Sequence, residues 1–259
     1  MIEVISNLVI FIFGASIGSF LNVLIDRLPK EKSINGRSHC DFCGKKIAWY
    51  DLFPIISFFI LKGRTRCCGK KLSWQYPVIE FITGIIFVGV IKDGPNLGPS
   101  LFRSVLILSI LSTLIVIFVS DLKYHLISDY ILLVLFVFSV IYHLLSTVSI
   151  FLFLYFFISS LIVGFPIFLI YFISKEKAMG LGDVYLSAIM GFLFGWKAGL
   201  LALYIAFVTG AIFGLLLILL KNKKLKSKIA FGPFLVIGTT IMLFYGDKVW
   251  KLISSIYRY

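Results

Sequence analysis

The feature that most limits what this chain can fold into is a succession of apolar runs, each long enough to leave water. A helix needs about 20 apolar residues to cross the hydrocarbon core of a bilayer. Eight candidate spans can be read, near residues 4–25, 75–91, 101–120, 128–146, 150–173, 184–196, 198–220 and 229–246. Only 14% of the residues are charged, against about 25% in a soluble domain, so the runs are not the cores of water-soluble folds. Lipid offers backbone groups no partners, and helices satisfy their own. The expected fold is therefore all-α: a polytopic transmembrane bundle of about eight helices. The second and sixth runs are short, and the sixth is read as starting in a polar, protein-lined setting. The opening Met1-Ile2-Glu3 has no basic segment, and no small-residue cleavage site precedes Asp26, so the first run reads as a retained helix.

Charge orients the spans. The formal net charge is +13, which in a soluble chain would point to nucleic acid. Here it reads as the basic loops of a membrane protein, so no nucleic-acid partner is expected. Alternating sides over eight spans puts the polar segment 27–74 on the same side as Lys123, Lys175, Lys177 and the five lysines of Lys221–Lys228. That side carries nineteen of the 25 basic residues, and the other carries six. Basic loops stay cytoplasmic, so the expectation is a cytoplasmic 27–75 loop with both termini outside. The chain divides into a first helix (1–26), the loop (27–75) and a multi-helix membrane domain (76–259). The glycine pairs Gly14/Gly18, Gly191/Gly195 and Gly210/Gly214 have the spacing of close helix packing.

Against this apolar background two acids stand out. Asp121 closes the third run, and Asp183 opens the sixth within Met179-Gly180-Leu181-Gly182-Asp183. A charged group at membrane depth costs roughly 2.5–3.5 kcal/mol on insertion scales and is usually functional. Counting spans puts both acids at cytoplasmic helix ends. Two carboxylates brought together share one proton, so one can activate water while the other donates to a scissile carbonyl. The glycines before Asp183 would let an extended peptide lie close and would relieve φ restrictions. Neither Gly-x-Ser-x-Gly nor His-Glu-x-x-His occurs. Asp183 is expected at a helix N-terminus, where the dipole favours its charged form, and Asp121 at a helix C-terminus, where it retains the shared proton. Asp129 is a weaker third acid, and His125 reads as an ordinary interfacial histidine. An ion- or proton-coupled transporter would use the same acids and predicts solute flux. An inactive membrane scaffold would leave them unexplained.

The four cysteines, Cys40, Cys43, Cys67 and Cys68, all fall in the polar loop. Cys40-Asp41-Phe42-Cys43-Gly44 is half of a zinc knuckle. The second half is irregular, with Thr65 where a second Cys-x-x-Cys needs its first thiol. Cys68 with either Cys67 or His39 would complete the ligand set. A disulfide is disfavoured in a reducing cytoplasm. Zinc would fold a small loop that has no core of its own.

Taken in order, these motifs resemble the type IV prepilin peptidases, the bacterial Gly-x-Gly-Asp aspartyl membrane proteases. The similarity rests on Gly18-Ser19-Phe20-Leu21-Asn22-Val23 with Arg27-Leu28-Pro29, and on Tyr76-Pro77-Val78-Ile79-Glu80. It continues through Asp121-Leu122 with Asp129, Gly180-Leu181-Gly182-Asp183, and Phe231-Gly232-Pro233-Phe234. Three positions depart from the family pattern: Tyr185 for Lys, Ser128 for Pro and Thr65 for Cys. The resemblance implies a bacterial inner-membrane endopeptidase that cuts the basic leader of type IV prepilins or pseudopilins after a glycine, at the cytoplasmic face. It implies Asp121 and Asp183 as catalytic, with Gly180, Gly182, Asp129, Gly232 and Pro233 in support. It further implies N-methylation of the new terminus with S-adenosylmethionine, associated with Asn22, Arg27 and Glu80. For Asn22 and Glu80, hydrogen bonding between helices is an equal alternative.

Overall fold

The structure is a computed structural model describing residues 2–40, 42–92, 101–146, 149–220 and 230–256. The Lys221–Lys228 cluster, Asp41 and Arg258 lie outside the described residues. The described residues are helical apart from turns and two isolated bridges. The elements are α1 (Ile2–Arg27), the short α2 (Ile56–Ile60), α3 (Gln75–Lys92), α4 (Leu101–Tyr124), α5 (Asp129–Ser146), α6 (Ile150–Ser174), α7 (Leu181–Leu219) and α8 (Gly232–Ile256). Five of these are long and apolar enough to cross a membrane, and two shorter apolar helices cover Asp129–Leu145 and Gly232–Gly246. Two compact units are present, residues 1–112 and 113–259.

In the first unit α1 packs on α3. Glycines set the distance. A Cβ at Gly18 would lie 2.8 Å from the Glu80 Cα, and one at Gly14 would lie 3.0 Å from the Gly84 Cα. The backbones therefore meet directly, as small residues allow between membrane helices.

In the second unit α7 packs against α6 on one side and α8 on the other. Its 39 residues do not form one rod. Gly195 has φ 79° and ψ 169°, a backbone region that is essentially glycine-only. A Cβ at Gly199 would lie 3.1 Å from the Gly191 Cα, whereas eight residues of straight helix rise about 12 Å. The helix therefore folds back at Gly195 into a hairpin of arms 181–194 and 196–219, and the sixth and seventh runs are its two arms. Eight apolar helical segments result, as expected. The small-residue reading of Gly191/Gly195 needs correction. Gly191 does pack, against the Ser159 carbonyl, Val163 and Gly199, but Gly195 makes the turn. His143 contributes at the same place: its Nε2 lies 2.9 Å from the Phe192 carbonyl, a backbone acceptor near the broken end of the first arm. That arm is short because protein surrounds it. Asp183, Val184, Leu186, Ser187 and Ile189–Leu193 are all buried.

Candidate functional site

Three helix ends in the second unit build the acid site. Asp121 sits in the last turn of α4, which stops at Tyr124. His125 then takes a positive φ of 53° and donates its N–H to the Asp121 carbonyl at 2.9 Å. Asp183 is the third residue of α7. Its N–H donates to the Gly180 carbonyl, and its Oδ2 accepts the Gly180 N–H, each at 3.2 Å. This is a reciprocal cap that satisfies groups a helix start otherwise leaves open. The third end is that of α8. The Gly232 N–H donates to Asp121 Oδ2 at 2.9 Å, and Pro233 follows with no N–H to satisfy.

Ile127 joins these pieces. A Cβ at Gly182 would lie 2.9 Å from the Ile127 Cβ, and one at Gly232 would lie 3.2 Å from its Cδ1. One side chain thus fills the space that two glycines leave beside the two acids. Both carboxylates are buried, 6% exposed for Asp121 and 8% for Asp183, and they act on each other electrostatically. Asp183 Oδ1 is buried with no hydrogen-bond partner among the described residues. Such an orphan is costly unless function uses it. The pair can hold one proton between them and present a basic oxygen to water.

Two sequence expectations change here. Asp121 does lie at a C-terminus, but its carboxylate reaches the N-terminal amide of α8. Both acids therefore meet a helix N-terminus, and the dipole no longer separates base from acid. The glycines also act differently from expectation. Gly180 has an ordinary extended φ of −88°, so backbone freedom is not what it supplies. Space is. Gly180 is exposed, and the nearest atom to a Cβ there is 4.0 Å away. Asp129 opens α5 as an exposed residue, and the amides that hold the two buried carboxylates come from Gly180 and Gly232. Tyr185 is also exposed.

In the first unit the cysteine loop folds as two matching turns. In one, the Gly44 N–H donates to the Cys40 carbonyl and a bridge joins His39 to Lys46. In the other, the Gly69 N–H donates to the Thr65 carbonyl and a bridge joins Arg64 to Lys71. Thr65 thus occupies the place of the missing cysteine, and Cys67 supplies the fourth thiol. All four Sγ atoms lie within 4.8 Å of one another, with Cys40–Cys68 at 3.8 Å, Cys43–Cys67 at 3.3 Å and Cys67–Cys68 at 4.0 Å. Tetrahedral zinc with bonds of about 2.3 Å would space its sulfurs about 3.8 Å apart, so the cluster fits a metal. All four are free cysteines, and His39 is outside the cluster. A hydrogen bond with Cys43 pushes the Cys67 thiol up to about 12. The Thr65 hydroxyl and the Lys70 N–H pull Cys68 down to about 6. A metal binding here must expel the Cys67 proton.

The three remaining sequence candidates have protein partners. Asn22 Nδ2 donates to the Tyr76 carbonyl at 3.2 Å, tying α1 to the start of α3. Arg27 donates to the Ser33 carbonyl at 3.1 Å. Glu80 Oε2 accepts the Ile55 N–H at 2.7 Å. Ile55, Ile127 and Gly199 were not singled out from sequence. Each matters through a contact between segments distant in the chain, and residue type alone gives no signal for that.

The helices and the acid site define a multi-pass membrane protein built around a buried pair of aspartates. The chain belongs to the type IV leader peptidase family, which residues 108–215 match, while residues 12–93 match the bacterial peptidase A24 N-terminal domain. It is 30% identical to the prepilin leader peptidase/N-methyltransferase of Bacillus subtilis (strain 168), over 93% of this chain and 95% of that protein. The protein of the same name from Klebsiella pneumoniae is 33% identical over 73% of this chain and 85% of its own length. That from Legionella pneumophila is 28% identical over 93% and 92%. No solved structure matches. The transporter reading finds no support in these relatives.

Proposed function

We propose that this protein cuts the leader peptide from type IV prepilins or pseudopilins, with Asp121 and Asp183 as the catalytic pair. The observation that supports this best is the meeting of two buried aspartates across three helix ends, each held by one backbone amide. One carboxylate takes a proton from water as its oxygen attacks the scissile carbonyl carbon. The other gives its proton to the carbonyl oxygen, and the tetrahedral intermediate then collapses with the proton passing to the leaving amine. Gly180 leaves room for the substrate backbone and Gly182 seats Ile127 beside the acids, while Gly232 and Pro233 fix Asp121. The basic loop and the span count support a cytoplasmic cut after the leader glycine, in a bacterial inner membrane with both chain termini outside. In this proposal the chain works in three parts, the first helix to residue 26, the loop to residue 75 and the membrane domain beyond.

For the cysteine cluster we propose zinc, held by Cys40, Cys43, Cys67 and Cys68, as a structural ion that folds the loop. The relatives' names also carry an N-methyltransferase activity, and S-adenosylmethionine is the donor we propose for it. Asn22, Arg27 and Glu80 are engaged with protein groups, which favours a role in holding α1, α3 and the loop together. Asp121→Asn and Asp183→Asn should each lower leader cleavage by about 10²–10⁴-fold, the span of general acid–base catalysis, with expression unchanged. Mass spectrometry of a prepilin incubated with membranes reads both the cut and the terminal mass. Full cleavage by either variant would overturn the pair.

A further inference from the structure

The cysteine loop carries an apolar surface that neither catalysis nor metal binding uses. Residues 49–60 expose Trp49, Phe53, Ile56, Phe59 and Ile60, each by more than half, and Trp74 joins them at 63%. The rings pack in two groups: Trp49 on Phe53, and Trp74 on Phe59. Exposed apolar patches of this kind mark a partner.

Backbone geometry ties this surface to the first turns of α3. Ile55 has φ 63° and ψ −54°, and the Ile56 N–H turns back to the Pro54 carbonyl. This is a tight γ-turn with positive φ, rare and strained for a β-branched residue. The turn directs the Ile55 N–H outward to Glu80 Oε2, and that bond at 2.7 Å offsets the strain. Glu80 lies five residues into α3, about 7–8 Å below its start by helical rise. Because α3 is itself a candidate span by length and composition, this bond ties the Ile55 backbone to the end of a membrane helix.

We propose that residues 49–60 and Trp74 form a monotopic element seated in the headgroup region of an anionic bilayer. The aromatic rings enter the interface, where Trp and Tyr partition. Segment 27–74 carries eleven basic residues against three acidic, the balance that draws a surface to anionic lipid. The Asp51–Arg66 ion pair, at 3.0 Å, ties this element to the second cysteine turn. The lipid surface thereby holds the cysteine cluster close to the membrane. This proposal does not rest on the peptidase reading.

The chain has four tryptophans. Full-length protein carrying Trp196→Phe and Trp250→Phe leaves Trp49 and Trp74 as reporters, and can be reconstituted in phosphatidylglycerol vesicles. The expected result is blue-shifted emission, quenched severalfold more by lipid brominated high on the acyl chain than by aqueous iodide. Emission of a water-exposed indole, quenched by iodide and indifferent to bromolipid, overturns the proposal. So does protection from iodide that appears only on adding prepilin, or only at high protein-to-lipid ratio, since these assign the surface to substrate or to a second copy. For the unsubstituted chain, an anionic phospholipid with a photoactivatable headgroup should leave adducts within 49–60 and at Trp74. Adducts absent there but present on the ends of α1 and α3 would overturn it as well.

Discussion

At the level of single residues the site depends on atoms that are missing. Gly232 has no side chain, and a Cβ there would stand 2.6 Å from Asp121 Oδ2. Gly232→Ala should therefore push the carboxylate aside and lower leader cleavage by roughly a hundredfold, as about 1 Å of misplacement does. Steady-state rates in membranes at matched expression check this. Gly182→Ala meets the Ile127 Cβ instead, so its defect should be partly relieved by Ile127→Gly, which removes that atom. The double variant should be more active than Gly182→Ala alone, because residues in contact are not additive. Activities that simply multiply would mean the two do not touch during turnover. The acids themselves were legible in the sequence, because an aspartate at an apolar helix end is costly enough to demand a reason. Ile127 was not, being one isoleucine in a chain that is 60% hydrophobic. Nor was the dipole setting of Asp121, because the amide that meets its carboxylate comes from 111 residues further along.

The helices as elements were legible from hydropathy alone, but their joints were not. The break in α7 rests on Gly195, which looked like a packing glycine because it follows Gly191 by four. Its φ and ψ are open only to glycine, and the Tyr155 hydroxyl would lie 2.9 Å from a Cβ there. Gly195→Ala should cost about 1–3 kcal/mol from the backbone alone. A lowered melting temperature in detergent, with Gly199→Ala also destabilised, would show this. The cysteine turns teach a similar lesson at smaller scale. Spacing identified position 65 as irregular, and the fold shows Thr65 in the place of a ligand while Cys67 reaches across from the next turn residue but one. Cys67→Ser should then lose most of the bound zinc, and adding Thr65→Cys should restore it. Metal content per chain after purification measures both, and an unrestored double variant would mean the second turn cannot aim a thiol from position 65.

For the whole molecule, one hydrogen bond tests the topology that charge counting suggested. Asp121 ends α4, Asp183 begins α7 and Gly232 begins α8. A straight α7 of 39 residues would rise about 58 Å and deliver the start of α8 to the opposite face. Instead the Gly232 N–H reaches Asp121, so the chain has to return, and the reversal at Gly195 is where it does. The hairpin is thus what keeps the span count even and returns the start of α8 to the face that carries Asp183 and Asp121. The proposal that this face is cytoplasmic rests on positive-inside bias, since the basic stretch Lys221–Lys228 precedes α8 in sequence. A secreted alkaline phosphatase, active only where its disulfides form outside, reads this directly when fused to truncated chains. Fusions ending at Lys123 and Lys177 should be inactive, and one ending at Lys197 active. The decisive fusion ends at Leu220, after the second arm: it should be inactive if α7 is a hairpin and active if it is a single span.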